Sequence, residues 1–300
     1  MMSNPSIRKL SNPSTFSVVA RDPSNGDLGV IVQSKFPAVG ALVPWAVAEV
    51  GAIATQAWAN ISYGHRGLEM MKEGKSASRT LRELVSSDEG EAHRQVGIVD
   101  AKGRVATHTG RDCMDWAGHV AGDGYTCQGN ILAGEAVVVD MAESYEKTEG
   151  DLIDKLFAAL KAGQAAGGDR RGMQSAAILV VREGGGYEGG NDRYVDVRVD
   201  DHPRPIDELE RIFKIYDMTL LSREDPSNLY QIGGSIATKI QEALVSLGYL
   251  DKVSLTKDWT PEAQAALQKW TNTENFENKY VEGKIWKSVL DYLFEQWENR

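Results

Sequence analysis

The sequence predicts an α+β fold: a four-layer αββα sandwich, sheets covered by helical layers, followed by a small three-helix domain. Two patterns predict it. β-rich runs arrive in hairpin pairs with pairs of helical stretches between the groups, and beyond residue 222 the strand pattern gives way to helical periods alone.

The first hairpin organises the rest. Residues 15–22 and 28–35 are short, β-rich and apolar on both faces, and Pro23, Ser24, Asn25, Gly26 and Asp27 between them are turn formers. Residues 39–55, broken by Pro44 and Gly51, read as a second pair of short strands. A helix opened by Ser62 then carries Leu68, Met70 and Met71, and Ser76 caps another with Leu81, Leu84 and Val85. Residues 95–100 and 104–110 flank Ala101, Lys102 and Gly103 as another hairpin, and residues 121–130 read as one further strand. From 136 to 160 the apolar residues fall at helical spacing, with Gly150 and Asp151 as break and new cap. The glycine-rich run 163–172 is a shaped loop leading into a strand at 174–181. In residues 194–200, Val195, Val197 and Val199 face one way while Tyr194, Asp196, Arg198 and Asp200 face the other, which marks an edge strand or the rim of a site. Pro205 begins a helix bearing Ile206, Leu209, Ile212, Phe213 and Tyr216.

Residues 1–14 read as a leader, 15–225 as the sandwich and 233–300 as the helical domain, with the boundary at 223–232. The last is built from helices at 236–247, 261–270 and 285–297, with a capping Thr260 and a stop at Gly248.

Composition narrows the function classes. The 300 residues are 42% hydrophobic and 25% charged, ordinary for a globular chain. A formal net charge of −10 without a long basic stripe argues against nucleic acid and anionic membrane as partners. Cys113 and Cys127 form neither a CxxC nor a metal-ligand pattern, so reduced thiols are expected, and with no apolar export signal the expected location is cytoplasmic.

Thr15 stands at the start of the first strand. A Thr, Ser or Cys that opens a central strand and carries a free α-amine, of reference pKa about 8, holds nucleophile and general base in one residue. Thr15 is the leading nucleophile on this argument, Ser17 the second, although a strand start also suits a β-branched residue with no chemistry. A free amine at Thr15 requires cleavage after Ser14. In the 163–172 loop, Arg170 and Arg171 offer two guanidinium groups to a substrate carboxylate or phosphate with Asp169 orienting one, or else form a pair that stiffens the loop. Asn60 and Asn130 suit an oxyanion site or ordinary turns. His108 and His119 are acid/base candidates or structural histidines, and His119 with Asp123 raises a metal. Asp200, Asp201 and His202 alternate in direction along an extended chain, which favours strand-end and capping roles over one shared ion. Trp45, Trp58 and Trp116 suit the core or an interface.

Many separate motifs carry a resemblance. They are Thr15 to Pro23; Ser34 and Lys35; Gly40 to Trp45; Ala54 to Gln56; Tyr63 and Gly64; His108 to Gly110; Trp116 to His119; Gln128 to Asn130; Gly167 to Ala176; and Val199 to Pro203. Through them residues 15–220 resemble a bacterial family of unknown function classed with the proteasome-like Ntn (N-terminal nucleophile) hydrolases. The resemblance implies the αββα sandwich and amide-bond hydrolysis by Thr15. It departs from the proteasome pattern in the 14 residues before Thr15 and in its lysines, since none occurs between Lys35 and Lys72. The C-terminal segment is similar to small peptidoglycan-binding modules through residues 240–249 and 260–270, although a docking or dimer-support role suits it equally.

The expected activity is therefore an Ntn-type amidohydrolase on a small polar amide, its rival a non-catalytic binding or scaffold protein. Catalysis is assigned to Thr15, Ser34, Asn60 and Asn130, and substrate binding to Lys35, His108, Asp169, Arg170, Arg171 and Gln174. No cofactor or metal is expected, and the sequence leaves a homo-oligomer open as an assembly.

Overall fold

Alternation of turn formers with β-branched runs gives, in chain order, β1 (Thr15–Arg21), β2 (Leu28–Ser34), β3 (Pro44–Val47) and β4 (Gly51–Ala57), then helices α1 (Ser62–Lys72) and α2 (Ala77–Ser86). Strands β5 (Arg94–Asp100), β6 (Val105–Thr109), β7 (Gly118–Gly122) and β8 (Tyr125–Asn130) follow, then α3 (Ala136–Lys147) and α4 (Leu152–Ala165), β9 (Ser175–Val181), β10 (Arg193–Val199) and α5 (Pro205–Leu220). The computed structural model describes residues 15–221 and 223–300, so the expected leader 1–14 and the Ser14–Thr15 junction lie outside the described residues. The chain divides into two compact units, 1–211 and 212–300.

In the first unit a six-stranded antiparallel sheet runs β10-β9-β2-β1-β8-β7 and a four-stranded one runs β3-β4-β5-β6. The hairpin β1–β2 occupies the centre of the larger sheet, paired from Thr15 opposite Ser34 to Arg21 opposite Leu28. The sheets pack face to face through Val19, Leu28, Val30 and Val32 of the larger sheet against Ala52, Ala54 and Val99 of the smaller. Helices α3 and α4 cover the outer face of the six-stranded sheet. Helices α1 and α2 cover that of the four-stranded one through Ile53, Leu68, Leu81, Leu84 and Ile98. This is the four-layer αββα sandwich the sequence predicts. Its caps are those expected: Ser76 accepts from Arg79 N at 3.3 Å, and Asp151 forms a capping box with Asp154 at the start of α4.

Two elements differ from the sequence expectation. Residues 121–130 are not one strand but the end of β7, a turn at Asp123 and Gly124, and β8, because Gly124 at φ 73° reverses the chain and pairs Gly122 with Tyr125. Beyond residue 222 strands do not cease. Strand β11 (Leu229–Gln231) pairs with β12 (Lys284–Trp286), too short for alternation to be visible in sequence.

The second unit holds α6 (Gly234–Leu247), α7 (Pro261–Thr273) and α8 (Lys287–Glu298) around Ile240, Leu244, Leu267, Trp270, Phe276 and Leu293. Met218 belongs to this core, so the end of α5 is part of this unit and the division falls inside that helix, upstream of 223–232. Among the described residues no helix is long and apolar enough to cross a membrane.

Candidate active site

Side chains alternate along β1: Thr15, Ser17 and Val19 face the smaller sheet, while Phe16 points at α4, where a Cβ on Gly163 would lie 3.2 Å from its ring. The inward face is apolar at Val19 and turns polar toward the start of the strand. Its neighbours repeat the gradient. Leu28, Val30 and Val32 of β2 end in Ser34, Ala52 and Ala54 of β4 end in Gln56, Val99 of β5 leads back to Gln95, and β8 contributes Thr126, Gln128 and Asn130. One end of the space between the sheets is therefore a buried polar layer with Thr15 at its edge.

That layer is closely hydrogen-bonded. Ser17 Oγ donates to Gln56 Oε1 at 2.7 Å, and Gln56 Nε2 donates to Gln95 Oε1 at 2.9 Å and to the Thr15 carbonyl at 3.3 Å. Asn130 Nδ2 donates to the same Gln95 oxygen at 3.1 Å, and Gln128 Nε2 to Ser17 Oγ at 2.7 Å. Gln95 Nε2 donates to Thr109 Oγ1 at 3.0 Å, and Thr109 Oγ1 in turn lies 2.9 Å from His119 Nδ1. The chain of bonds thus runs from the backbone of Thr15 to a histidine on β7. Loss of hydration on burial lowers the His119 pKa, and the neighbouring His108 adds to the effect. Satisfied in this way, buried amides and hydroxyls hold one arrangement rigidly instead of costing their desolvation.

Thr15 itself is 1% exposed, and its Oγ1 lies 3.1 Å from Ser34 Oγ. In register it sits between Ser34 of β2 and Asn130 of β8. The glycine-rich loop closes over these strand ends. Buried Asp169 accepts from Lys35 N at 2.8 Å and from Arg171 N at 2.8 Å, and its carboxylate pairs with the Arg171 guanidinium at 3.3 Å. Arg170 N donates to Ile131 O, and Gln174 N to Ser34 O. Gly167 and Gly168, at φ 110° and 53°, supply the backbone turn that brings Asp169 inward. Arg170 and Lys35 stay exposed, the Lys35 ammonium donating to Met173 O at 3.2 Å.

Of the assigned residues the structure gathers Thr15, Ser34, Asn130, Lys35, Asp169, Arg170, Arg171 and Gln174 at this one end. Asn60 and His108 stand elsewhere. Asn60 donates to Asp88 Oδ2 at 2.9 Å and accepts from Ser62 N at 3.1 Å, locking the start of α1. His108, one residue out of phase with Thr109 on β6, turns to the helical side of its sheet and meets Glu91 O at 2.9 Å. In the trio at 200–202, Asp200 O accepts from Ala38 N, Asp201 Oδ1 accepts from Gln174 Nε2, His202 N donates to Gln174 O, and His202 Nδ1 accepts from Arg204 N at 3.1 Å ahead of α5. Sequence reasoning did not assign roles to Gln56, Gln95, Gln128 or Thr109, the connecting members of the layer. The available signal was a glutamine at the inward phase of a strand otherwise built from small apolar residues.

Cys113 and Cys127 are both free thiols. Burial pushes the Cys113 pKa up to about 11, so it is a poor nucleophile. Among the described residues no three His, Cys, Asp or Glu side chains group as metal ligands.

A family model, Family of unknown function (DUF1028), matches residues 15–209, and a peptidoglycan binding domain model matches residues 219–293. The chain is 27% identical to a DUF1028 protein from Silicibacter pomeroyi of known crystal structure. That match covers 71% of this chain and 98% of that one, with a TM-score of 0.62. Anbu (ancestral beta-subunit) from Yersinia bercovieri is 11% identical over 66% of this chain and 92% of that one, with a TM-score of 0.31, too low a likeness to carry weight. No curated protein matches the chain.

Proposed function

Since the chain belongs to the family of unknown function DUF1028, we propose that it is an N-terminal-nucleophile amide hydrolase acting on a small polar amide that bears an anionic group. Thr15, released from residues 1–14, is the nucleophile. One observation carries this reading: Thr15 Oγ1 lies 3.1 Å from Ser34 Oγ, at the opening of the central strand and the polar end of an αββα sandwich.

In the reaction the Thr15 α-amine takes the hydroxyl proton as Oγ1 attacks the substrate carbonyl carbon, and Ser34 orients the hydroxyl. The oxyanion is stabilised by amide donors at the ends of β1 and β8, Asn130 among them. Collapse breaks the C–N bond, the leaving amine takes the proton, and an ester on Thr15 remains. Water, deprotonated by the same α-amine, attacks that ester and restores Thr15. Lys35, Arg170 and Arg171 stand where a substrate carboxylate would be anchored, with Asp169 holding Arg171 in place. The C-terminal unit serves docking or dimer support.

A non-catalytic binding protein is the second reading, favoured by the 1% exposure of Thr15. Intact-protein mass spectrometry with an ammonia-release assay on small amides decides between them. The hydrolase reading expects a species beginning at Thr15 and activity at least about 10³-fold above that of Thr15→Ala. A stable uncut chain that hydrolyses no amide establishes the binding reading, and undiminished activity in Thr15→Ala removes Thr15 from the mechanism.

A further inference from the structure

The alternation in β10 has no part in the chemistry at Thr15. Val195, Val197 and Val199 are buried on one face. Asp196 and Arg198 lie on the other, opposite Leu179 and Ala177 of β9, the face from which Ala177 enters the core between the sheets. The six-stranded sheet is wider than the four-stranded one: edge strand β3 packs over β2 and β9, and β10 lies beyond them. The strip left uncovered, walled by β3 and α1, forms a cavity of ≈ 540 Å³, within the range of about 300–1,000 Å³ typical of small-molecule sites.

Its floor is apolar: Pro44, Trp45, Leu68, Leu179 and Val181. Trp45 is held from behind, since a Cβ on Gly64 of α1 would fall 2.1 Å from its ring. Its indole N–H is spent on Leu42 O at 2.9 Å, so the ring offers the cavity only apolar surface. His65 stands edge-on to it at 6.2 Å and closes the helical side.

The rim is charged. Helical spacing sets Glu69 and Lys72 beside His65 and Leu68 on one face of α1. From β10, Arg193 and Arg198 share the single carboxylate of Asp196, at 2.7 and 3.0 Å. Lys72 forms no ion pair among the described residues. Three cations against two carboxylates leave the rim net positive, on a chain whose formal charge is −10.

We propose that this overhang cavity binds a small amphipathic organic anion, an aromatic carboxylate about the size of naphthoate. Its ring lies against Trp45 and Leu179, and its carboxylate meets Lys72 and the guanidinium edge left over by Asp196. The site is independent of the chemistry at Thr15. Isothermal titration calorimetry of the full chain with 2-naphthoate and with neutral 2-naphthylmethanol tests it. Saturable binding of one naphthoate is expected, with the alcohol about fivefold weaker. Lys72→Gln should weaken naphthoate about threefold and Glu69→Gln should strengthen it about threefold, both at exposed helical positions that leave the fold alone. Absence of saturable naphthoate binding, equal affinity for acid and alcohol, or indifference to both substitutions overturns the proposal.

Discussion

Gln95 is the residue on which the polar layer converges. Its oxygen accepts from Gln56 and Asn130, and its nitrogen donates to Gly129 O, Thr109 Oγ1 and Gly118 O, all with the side chain fully buried. Leucine has nearly the same volume but strands the donors of Gln56 and Asn130 in a dry space, and each orphaned group costs about 1–3 kcal/mol. Gln95→Leu should therefore lower the stability of the first unit by on the order of 3 kcal/mol, read as a fall in the urea midpoint at unchanged m-value. A loss under about 0.5 kcal/mol would mean that the layer is held by its backbone alone. Such a residue is hard to recognise in sequence. Thr15 drew notice because a hydroxyl at a strand start has a chemical meaning by itself, whereas Gln95 acquires one only once β4, β5 and β8 are stacked. His108 and His119 show the same limit. Both sit at strand positions of equal promise, and only the pairing of β6 and β7 reveals that His119 faces the layer through Thr109 while His108 faces away.

At the scale of elements, local signals served where they are strong. The turn formers at 23–27, the caps at Ser76 and Asp151 and the alternation at 195–199 each marked the element that formed, while a bulge at Tyr194 breaks the expected alternation between Arg193 and Val195. They failed where they are weak: the Asp123–Gly124 reversal lies in a run of small residues, and β11 and β12 are three residues each. Asp88 shows how the elements around the smaller sheet are tied. It accepts from Arg94 Nε of β5 at 2.9 Å, from Asn60 Nδ2 ahead of α1 at 2.9 Å, and from Gly90 N at 2.8 Å. The Arg94 hydrogen bond, seconded by Asn60, holds its carboxyl well below the ordinary value of 3.8. A carboxyl depressed in the native state binds fewer protons than in the unfolded chain at acid pH. Its contribution is then complete above about pH 4 and drains as pH falls from there toward the native value. Asp88→Asn should cost about 1–3 kcal/mol at pH 7, and the gap from wild type should narrow in urea titrations at about pH 3. A gap of constant size across that range would mean that the carboxylate charge contributes nothing.

On the scale of the whole molecule, the chain carries separate hydrophobic cores. The sandwich clusters around Val30 and around Ile53 lie within residues 19–181, and the cluster of the C-terminal unit runs from Met218 to Leu293, sharing no residue with either. Hydrophobic stabilisation is local to the surface it removes from water, so a defect in one core should leave the other at its own stability. Trp270 is the largest fully buried side chain of the second core, with Phe276 at 6.0 Å and Tyr292 at 6.4 Å, and its Nε1 donates to Gln296 Oε1 at 3.0 Å. Trp270→Ala removes that ring and should cost the helical unit about 3–5 kcal/mol. Spread over the 89 residues from 212 to 300, such a loss lowers that unit's Tm by on the order of 15–30 °C. Scanning calorimetry of the full chain should then show one transition moved down and the sandwich transition in place. If the whole endotherm shifts together, the two cores unfold as one cooperative system despite their separate membership. Truncating Trp270 would then weaken the sandwich that holds Thr15 as well as the helical unit.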